Sequence, residues 1–255
     1  MADLVYAKRG LVAVLTPQAN TTVEPEFAIL LPPGIAMLTT RLVSARDSVE
    51  ERLMDYTHQI DASLNHFANA PIQAAAFACT GASYVAGRER ETEICDRLEL
   101  SRGYEIVTAA RAVTASLQAL GAKTIGLVSP YSETLTKASV AYWQSAGFDV
   151  AQVATVTNEA ADFHAIYSLN TDGSLAALRT LEDKPLDAIV LLGTGMPTLR
   201  TILDVANWNG PPVTSSMLSL AWRVVLSIDV VAPDRDNMLA WTKGDEWRDR
   251  MAVLR

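Results

Sequence analysis

Two cysteines occur in the chain, and only one of them sits where a thiol could do chemistry. Cys79 closes the apolar run Ala74 to Ala78 and is followed by Thr80-Gly81-Ala82-Ser83, a small-residue loop leading into a helical stretch predicted over Gly87 to Ser101. At the start of a helix, unpaired backbone N–H groups and the positive end of the dipole stabilise negative charge, so the position predicts a lowered thiol pKa and an available thiolate. A buried structural cysteine is the competing interpretation. Cys95 lies within a helical pattern beside Ile94 and Leu98 and reads as packing.

Other polar side chains fall at matching places. Thr194, within Gly193-Thr194-Gly195, occupies the position in the second half that Cys79 holds in the first. An aliphatic hydroxyl does not ionise near neutral pH, so Thr194 is expected to donate a hydrogen bond to substrate, unless the segment is a plain polar turn. Its flanking glycines would let backbone approach a ligand closely. Asn20-Thr21-Thr22 precede Val-Glu-Pro-Glu-Phe, with Thr22 the expected N-cap and Asn20 and Thr21 placed to bind a carboxylate at that helix end. Tyr131, in Ser129-Pro130-Tyr131-Ser132, could donate its phenol to a carboxylate or to charge developing in a reaction, or could be a partly buried surface tyrosine.

Competing chemistries find little support. His58, His66 and His164 have no metal-ligand spacing, so no metal site is expected. There is no third glycine for a dinucleotide fingerprint, no Gly-Lys-Ser/Thr phosphate loop and no Gly-x-Ser-x-Gly elbow. Chemistry without a cofactor is expected.

The elements that must hold these residues alternate. Leu11–Leu15, Ile35–Leu38 and Ala74–Ala78 read as strands, and between the last two lies Val49 to Ala68, with Leu53, Tyr56, Ile60, Leu64 and Phe67 at helical spacing behind a Ser48/Glu51 capping box. The second half repeats this with Thr124–Val128, a helix ending near Gly147, Phe148–Val153, a helix over Ser174–Glu182, and Ala188–Leu192. Thr16-Pro17 pairs with Ser129-Pro130, Cys79-Thr80-Gly81 with Thr194-Gly195, and Ile106-Val107-Thr108 with Pro212-Val213-Thr214. Apolar strands separated by helices give an α/β class with parallel sheets, and the aligned junctions predict a duplicated unit with pseudo-two-fold symmetry and a site between the halves. The expected boundaries are 1–115 for the first half, joined by 223–255, and 116–222 for the second. The tail from Asp229 to Arg255, polar and rich in Trp, gives no legible role.

Composition narrows the partners. The 255 residues carry 21 basic and 29 acidic side chains, a formal charge of -8, with no basic block, which argues against nucleic acid. No apolar run reaches membrane-spanning length, and Met1 to Gly10 does not read as a signal peptide, so a cytoplasmic location is expected. The expected partner is a small carboxylate or dicarboxylate, with self-association into a homo-oligomer left open.

Taken together, Pro17-x-x-Asn20-Thr-Thr-Val-Glu-Pro-Glu-Phe27, Cys79-Thr80-Gly81, Ser129-Pro130-Tyr131 and Gly193-Thr194-Gly195 resemble the aspartate/glutamate racemase superfamily. Its maleate cis-trans isomerase branch is the most similar, with arylmalonate decarboxylase a near relative, and the likeness spans roughly Leu11 to Ser227. The resemblance implies two Rossmann-like domains, no cofactor, and a site flanked by one cysteine from each half. It implies Cys79 as the catalytic first-half cysteine, Thr80 as its neighbouring hydroxyl, and Asn20 and Tyr131 at carboxylate-binding positions. Gly81 and Gly195 complete the candidate binding set. The second cysteine is replaced by Thr194, and Phe163 stands where another isomerase asparagine is sought. A two-base racemase is therefore demoted. The expectation is a cis-enedioate isomerase using thiolate addition, with decarboxylation through Cys79 as proton donor as the alternative and a non-catalytic binding protein as a third.

Overall fold

The apolar runs pair into two separate sheets. In a computed structural model, which describes residues 4–156 and 165–252, β1 (Gly10–Pro17), β2 (Ile35–Leu42), β3 (Ala74–Phe77) and β4 (Glu105–Thr108) form one sheet in the order β2-β1-β3-β4. The second sheet has β5 (Thr124–Ser129), β6 (Asp149–Thr155), β7 (Ala188–Leu191) and β8 (Val213–Ser215) in the order β6-β5-β7-β8. Every pairing is parallel, with Val12 opposite Ala74 in the first sheet and Ile125 opposite Ala188 in the second. The protein is thus α/β, with two domains of the same strand order.

Buried β1, β3, β5 and β7 are the strands most sharply marked in the sequence. β2 and β6 are edge strands with one side partly open. Their apolar runs therefore end early, and β2 continues through Thr39, Thr40 and Arg41 to Leu42.

Three helices depart from expectation. The stretch behind Ser48 breaks into Val49–His58, Ile60–Leu64 and a 3₁₀ turn at Asn65–Phe67, although all five periodic apolar residues are buried. Only half of the capping box forms: Ser48 Oγ accepts from Glu51 N, but the Glu51 carboxylate accepts from the Ser48 hydroxyl rather than from its backbone. The loop after Cys79 is itself a helix, Thr80–Ala86, separated from Arg88–Arg102 by Gly87 at φ +78°. Small side chains allow this, since a Cβ on Gly81 would come within 3.2 Å of the Leu53 side chain. The helix expected at Ser174–Glu182 runs instead over Thr171–Arg179, started by Asn170, whose Oδ1 accepts from Gly173 N.

Strand order explains where the loops collect. Connections leave β1 and β3 in opposite directions, as they do β5 and β7, so the chain parts at the carboxyl ends of these central strands. The helices Ala109–Leu120 and Ser216–Asp229, capped by Thr108 and Ser215, pack on each other, and Ser219 Oγ donates to Ser116 Oγ at 3.0 Å. The second of them also packs on β3 and β4. Farther on, Arg250 donates to the carbonyls of Ile29 and Leu30, ending the helix Val23–Leu30 that follows Asn20. The tail left unread in the sequence therefore braces a helix next to the site. Among the described residues no helix is long and apolar enough to cross a membrane.

Candidate active site

Cys79 lies just past β3 as the N-cap residue of Thr80–Ala86, with 4% of its surface exposed. Burial pushes its thiol up to about 12, while the Ala82 N–H pulls it down by less. The expected lowering is therefore corrected. One short helix end supplies a few N–H groups, whereas both halves of the protein close over the sulfur and remove the water a thiolate would need. The resting group is a thiol.

A cavity of about 100 Å³ opens onto that thiol from the four loops at the carboxyl ends of β1, β3, β5 and β7. Seven of the eight candidate residues line it: Asn20, Cys79, Thr80, Gly81, Tyr131, Thr194 and Gly195. Thr21 does not. It is exposed and outside the lining, because the turn that buries Asn20 and Thr22 aims the residue between them at solvent.

Asn20 Oδ1 accepts from the N–H groups of Thr22 and Val23 at 2.8 and 3.1 Å. Asn20 is thus the side-chain cap expected of Thr22, and the fixed Oδ1 leaves its Nδ2 donors as the group presented to the cavity. Thr22 instead donates across the interface to Gly195 O at 2.8 Å. Thr194 behaves alike, donating its hydroxyl to Ala78 O at 2.8 Å. Its expected donation to substrate is corrected: that proton is spent on the carbonyl beside Cys79, tying the two loops together. Tyr131 is half-buried with its phenol within hydrogen-bonding reach of Thr80, whose own hydroxyl donates to Ser216 Oγ at 3.3 Å. Burial raises the Tyr131 phenol, so it stays a donor.

A family model for arylmalonate decarboxylase matches residues 12–237. The chain belongs to the arylmalonate decarboxylase family. Maleate isomerase of Nocardia farcinica is 27% identical over 86% of this chain and 90% of its own. The solved structure of a cysteine-to-serine variant of that organism's maleate cis-trans isomerase, with a covalently bound succinylcysteine intermediate, aligns with a TM-score of 0.78 at 25% identity, covering 90% of this chain and 98% of the other. A liganded arylmalonate decarboxylase variant, with one glycine changed to cysteine and one cysteine to serine, shares the fold with a TM-score of 0.74 at 19% identity, covering 88% of this chain and 94% of the other. These enzymes belong to the Asp/Glu racemase-like superfamily, as the sequence motifs imply for this chain.

In this family member the cavity has further walls that the motifs do not mark. Arg52 and Tyr56 come from the helix Val49–His58, and Tyr167 from a 3₁₀ turn, Ala165–Ser168, in the second half. Tyr56 fits the buried helical face, and Arg52, four residues earlier on the same side, was the available signal. Nothing in the pattern marks Tyr167. It packs on Gly195, where a Cβ would come within 2.5 Å of the ring. Phe163 and His164 lie outside the described residues. Among the described lining residues none carries a carboxylate, and Arg52 alone carries a positive charge.

The second-half loop is also held by Glu26. Thr198 N and Leu199 N donate to its Oε1 at 2.6 and 3.2 Å, and burial, outweighing these bonds, raises its pKa from 4.5 to about 7. Below 4.5 both folded and unfolded chains hold the proton; between 4.5 and about 7 only the folded chain does, so stability falls as pH rises through that window. Glu26→Gln keeps an acceptor for both N–H groups and removes the titration. From pH 5 to 8 the wild type is expected to lose about 2 kcal/mol more than Glu26→Gln in urea unfolding. Parallel pH profiles would show that this carboxyl is not the titrating group.

Proposed function

We propose that the chain is a cofactor-independent isomerase of a small cis-enedioate of the maleate class, with Cys79 as nucleophile. The observation that carries this reading is a buried thiol at a cavity of about 100 Å³ whose described lining offers neutral donors and one cation but no carboxylate. That volume suits a ligand of a few heavy atoms and falls well below the several hundred Å³ typical of drug-sized ligand sites. The maleate isomerase relatives, one with a covalent succinylcysteine, support the same chemistry.

Addition starts from the thiol. Sulfur bonds to one alkene carbon, the π pair moves toward the carboxylate on the other, and the thiol proton passes to an oxygen of the enediolate so formed. The former double bond is now single and rotates. Collapse of the enediolate re-forms the alkene in the trans geometry, expels sulfur and returns its proton. Donors at Asn20 Nδ2 and the Tyr131 phenol would stabilise the charge that develops on the carboxylate. Thr194, a threonine where a second cysteine is expected, is no obstacle, because one sulfur serves both addition and elimination.

A second reading, decarboxylation of an aryl malonate with Cys79 protonating the enediolate, is favoured by the thiol being held protonated, with a pKa of about 12. The small cavity weighs against an aryl group. Proton NMR in deuterated buffer with maleate and an aryl malonate separates them. Isomerisation gives a trans product without carbon-bound deuterium, whereas decarboxylation gives a monocarboxylate with one deuterium. Silence on maleate would overturn the isomerase reading.

A further inference from the structure

We propose that protonated Glu26 is a positioning residue for the reaction: it pins the loop 193–198 across the domain interface, and losing the proton loosens that loop and lowers turnover. The inference rests on the isomerase reading only for the reaction that is measured. Glu26 is buried in the helix Val23–Leu30, one turn beyond Thr22, which donates to Gly195 O. Its Oε1 accepts from Thr198 N and Leu199 N, at the start of the helix Leu199–Asp204, whose N-cap Thr198 makes no side-chain cap bond of its own. The near end of the loop is tied by Gly193 N, which donates to Ser216 Oγ at 3.2 Å. Its middle is tied by Thr194 to Ala78 O and by Gly195 O to Thr22, and both loop residues line the cavity. Of these ties only the one to Glu26 can change charge.

Counting protons assigns the state. The Thr198 hydroxyl has one proton to give, with Ser215 Oγ at 2.9 Å and the Glu26 oxygens Oε2 and Oε1 at 3.3 and 3.4 Å. With that proton on the nearest oxygen, Oε2 receives none from Thr198, and a neutral acid completes the set by donating its own proton to Thr198 Oγ1. Burial favours the same form, raising the pKa to about 7. On the helices packed against Val23–Leu30, Arg223 is paired with Glu105, Asp229 with Arg9 and Arg248 with Asp245, Arg250 holds the Ile29 and Leu30 carbonyls, and Asp249 is exposed. Glu24 on the same helix is paired with Arg41, and Arg200, after Leu199, with Asp204. The influences on Glu26 are burial and its bonds to Thr198 and Leu199. An ionised Oε2 would draw the Thr198 hydroxyl off Ser215 or admit water, and either change moves the backbone that leads back to Gly195. Ser215 also caps the helix Ser216–Asp229 through Leu218 N, and Ser216 holds Gly193, so the disturbance reaches both ends of the loop.

The test follows kcat for maleate from pH 6 to 8 in wild type and Glu26→Gln. Wild type is expected to lose about tenfold as the proton leaves a group that titrates at about 7. Glutamine offers the same acceptor to both N–H groups and, from Nε2, the donor that the acid offers Thr198, at every pH, so its loss is expected to stay within about twofold. Titration of maleate itself is common to both proteins and cancels in the comparison. Parallel kcat profiles would mean that Glu26 only supports the fold, and would overturn the proposal. Two-dimensional amide NMR without substrate separates this from the isomerase reading. The signals of Gly193, Thr194 and Gly195 are expected to move with a midpoint at about pH 7 in wild type and to hold still in Glu26→Gln. If they do so and maleate is not isomerised, the reaction is wrong and the loop's dependence on the proton stands. If only Thr198 and Leu199 move, or no signal moves, the proton does not reach the cavity wall and the proposal is overturned.

Discussion

Cys79→Ser is expected to lower maleate turnover by at least about 10³-fold while leaving the fold intact. Serine is nearly isosteric and the site is buried, so the packing around β3 and Thr80–Ala86 survives and thermal unfolding should move by only a few degrees. Chemistry does not survive, because a hydroxyl is a poor nucleophile toward an alkene and its adduct has a poor leaving group for the return step. Near-normal turnover in the serine variant would end the covalent mechanism. The environment of the sulfur can be tested without substrate. With its pKa held at about 12 by burial, the thiolate fraction at pH 8 is far below that of a free cysteine, and the logarithm of the iodoacetamide alkylation rate should climb with pH at unit slope through pH 10. A plateau below pH 8 would show that the helix end wins over burial after all.

That contest between a helix end and burial marks where the sequence was legible and where it was not. The motifs after β1, β3, β5 and β7 could be read because fully buried strands appear as uninterrupted apolar runs, and whatever polar residue ends such a run stands out. Cys79 stands out in this way, whereas Asn20 is legible from the helix start that follows it and Tyr131 from its matching place in the second half. The direction of the Cys79 shift was not legible, since the local argument counts nearby N–H groups and cannot count the water removed when the second half closes. Thr22 and Thr194 fail for a related reason. Each is a plausible turn or cap residue locally, yet its hydroxyl donates to a carbonyl more than a hundred positions away in the chain, at Gly195 and Ala78. Arg52 was missed because helical periodicity sorts residues into buried and exposed faces, and a cation on the border between them, near a buried Tyr56, belongs to neither class.

Tyr131→Phe should reduce kcat about 100-fold with a much smaller change in KM. The phenol is held in place by its surroundings: its ring meets Tyr84 edge to face at 6.0 Å and 85°, and the hydroxyl lies over Gly193, where a Cβ would come within 3.2 Å of it. Phenylalanine keeps the ring contact, so the loss is confined to one oxygen and its proton. A donor that gains strength as charge moves onto the substrate carboxylate stabilises the addition step more than the bound ground state, which is why the effect belongs to kcat. Gly193 provides the complementary variant. Its φ of +88° already disfavours any side chain, and in Gly193→Ala the new methyl would come within 2.9 Å of the Ile166 side chain, 3.1 Å of Pro130 and 3.2 Å of the phenol oxygen, crowding the donor and its neighbours without deleting it. That variant should lose kcat in the same direction as Tyr131→Phe, and combining the two should cost little more than the larger single loss, because both act on one hydrogen bond. Full additivity in the double variant would mean that Tyr131 and Gly193 serve the reaction separately, and an unchanged kcat in Tyr131→Phe would remove the phenol from the chemistry altogether.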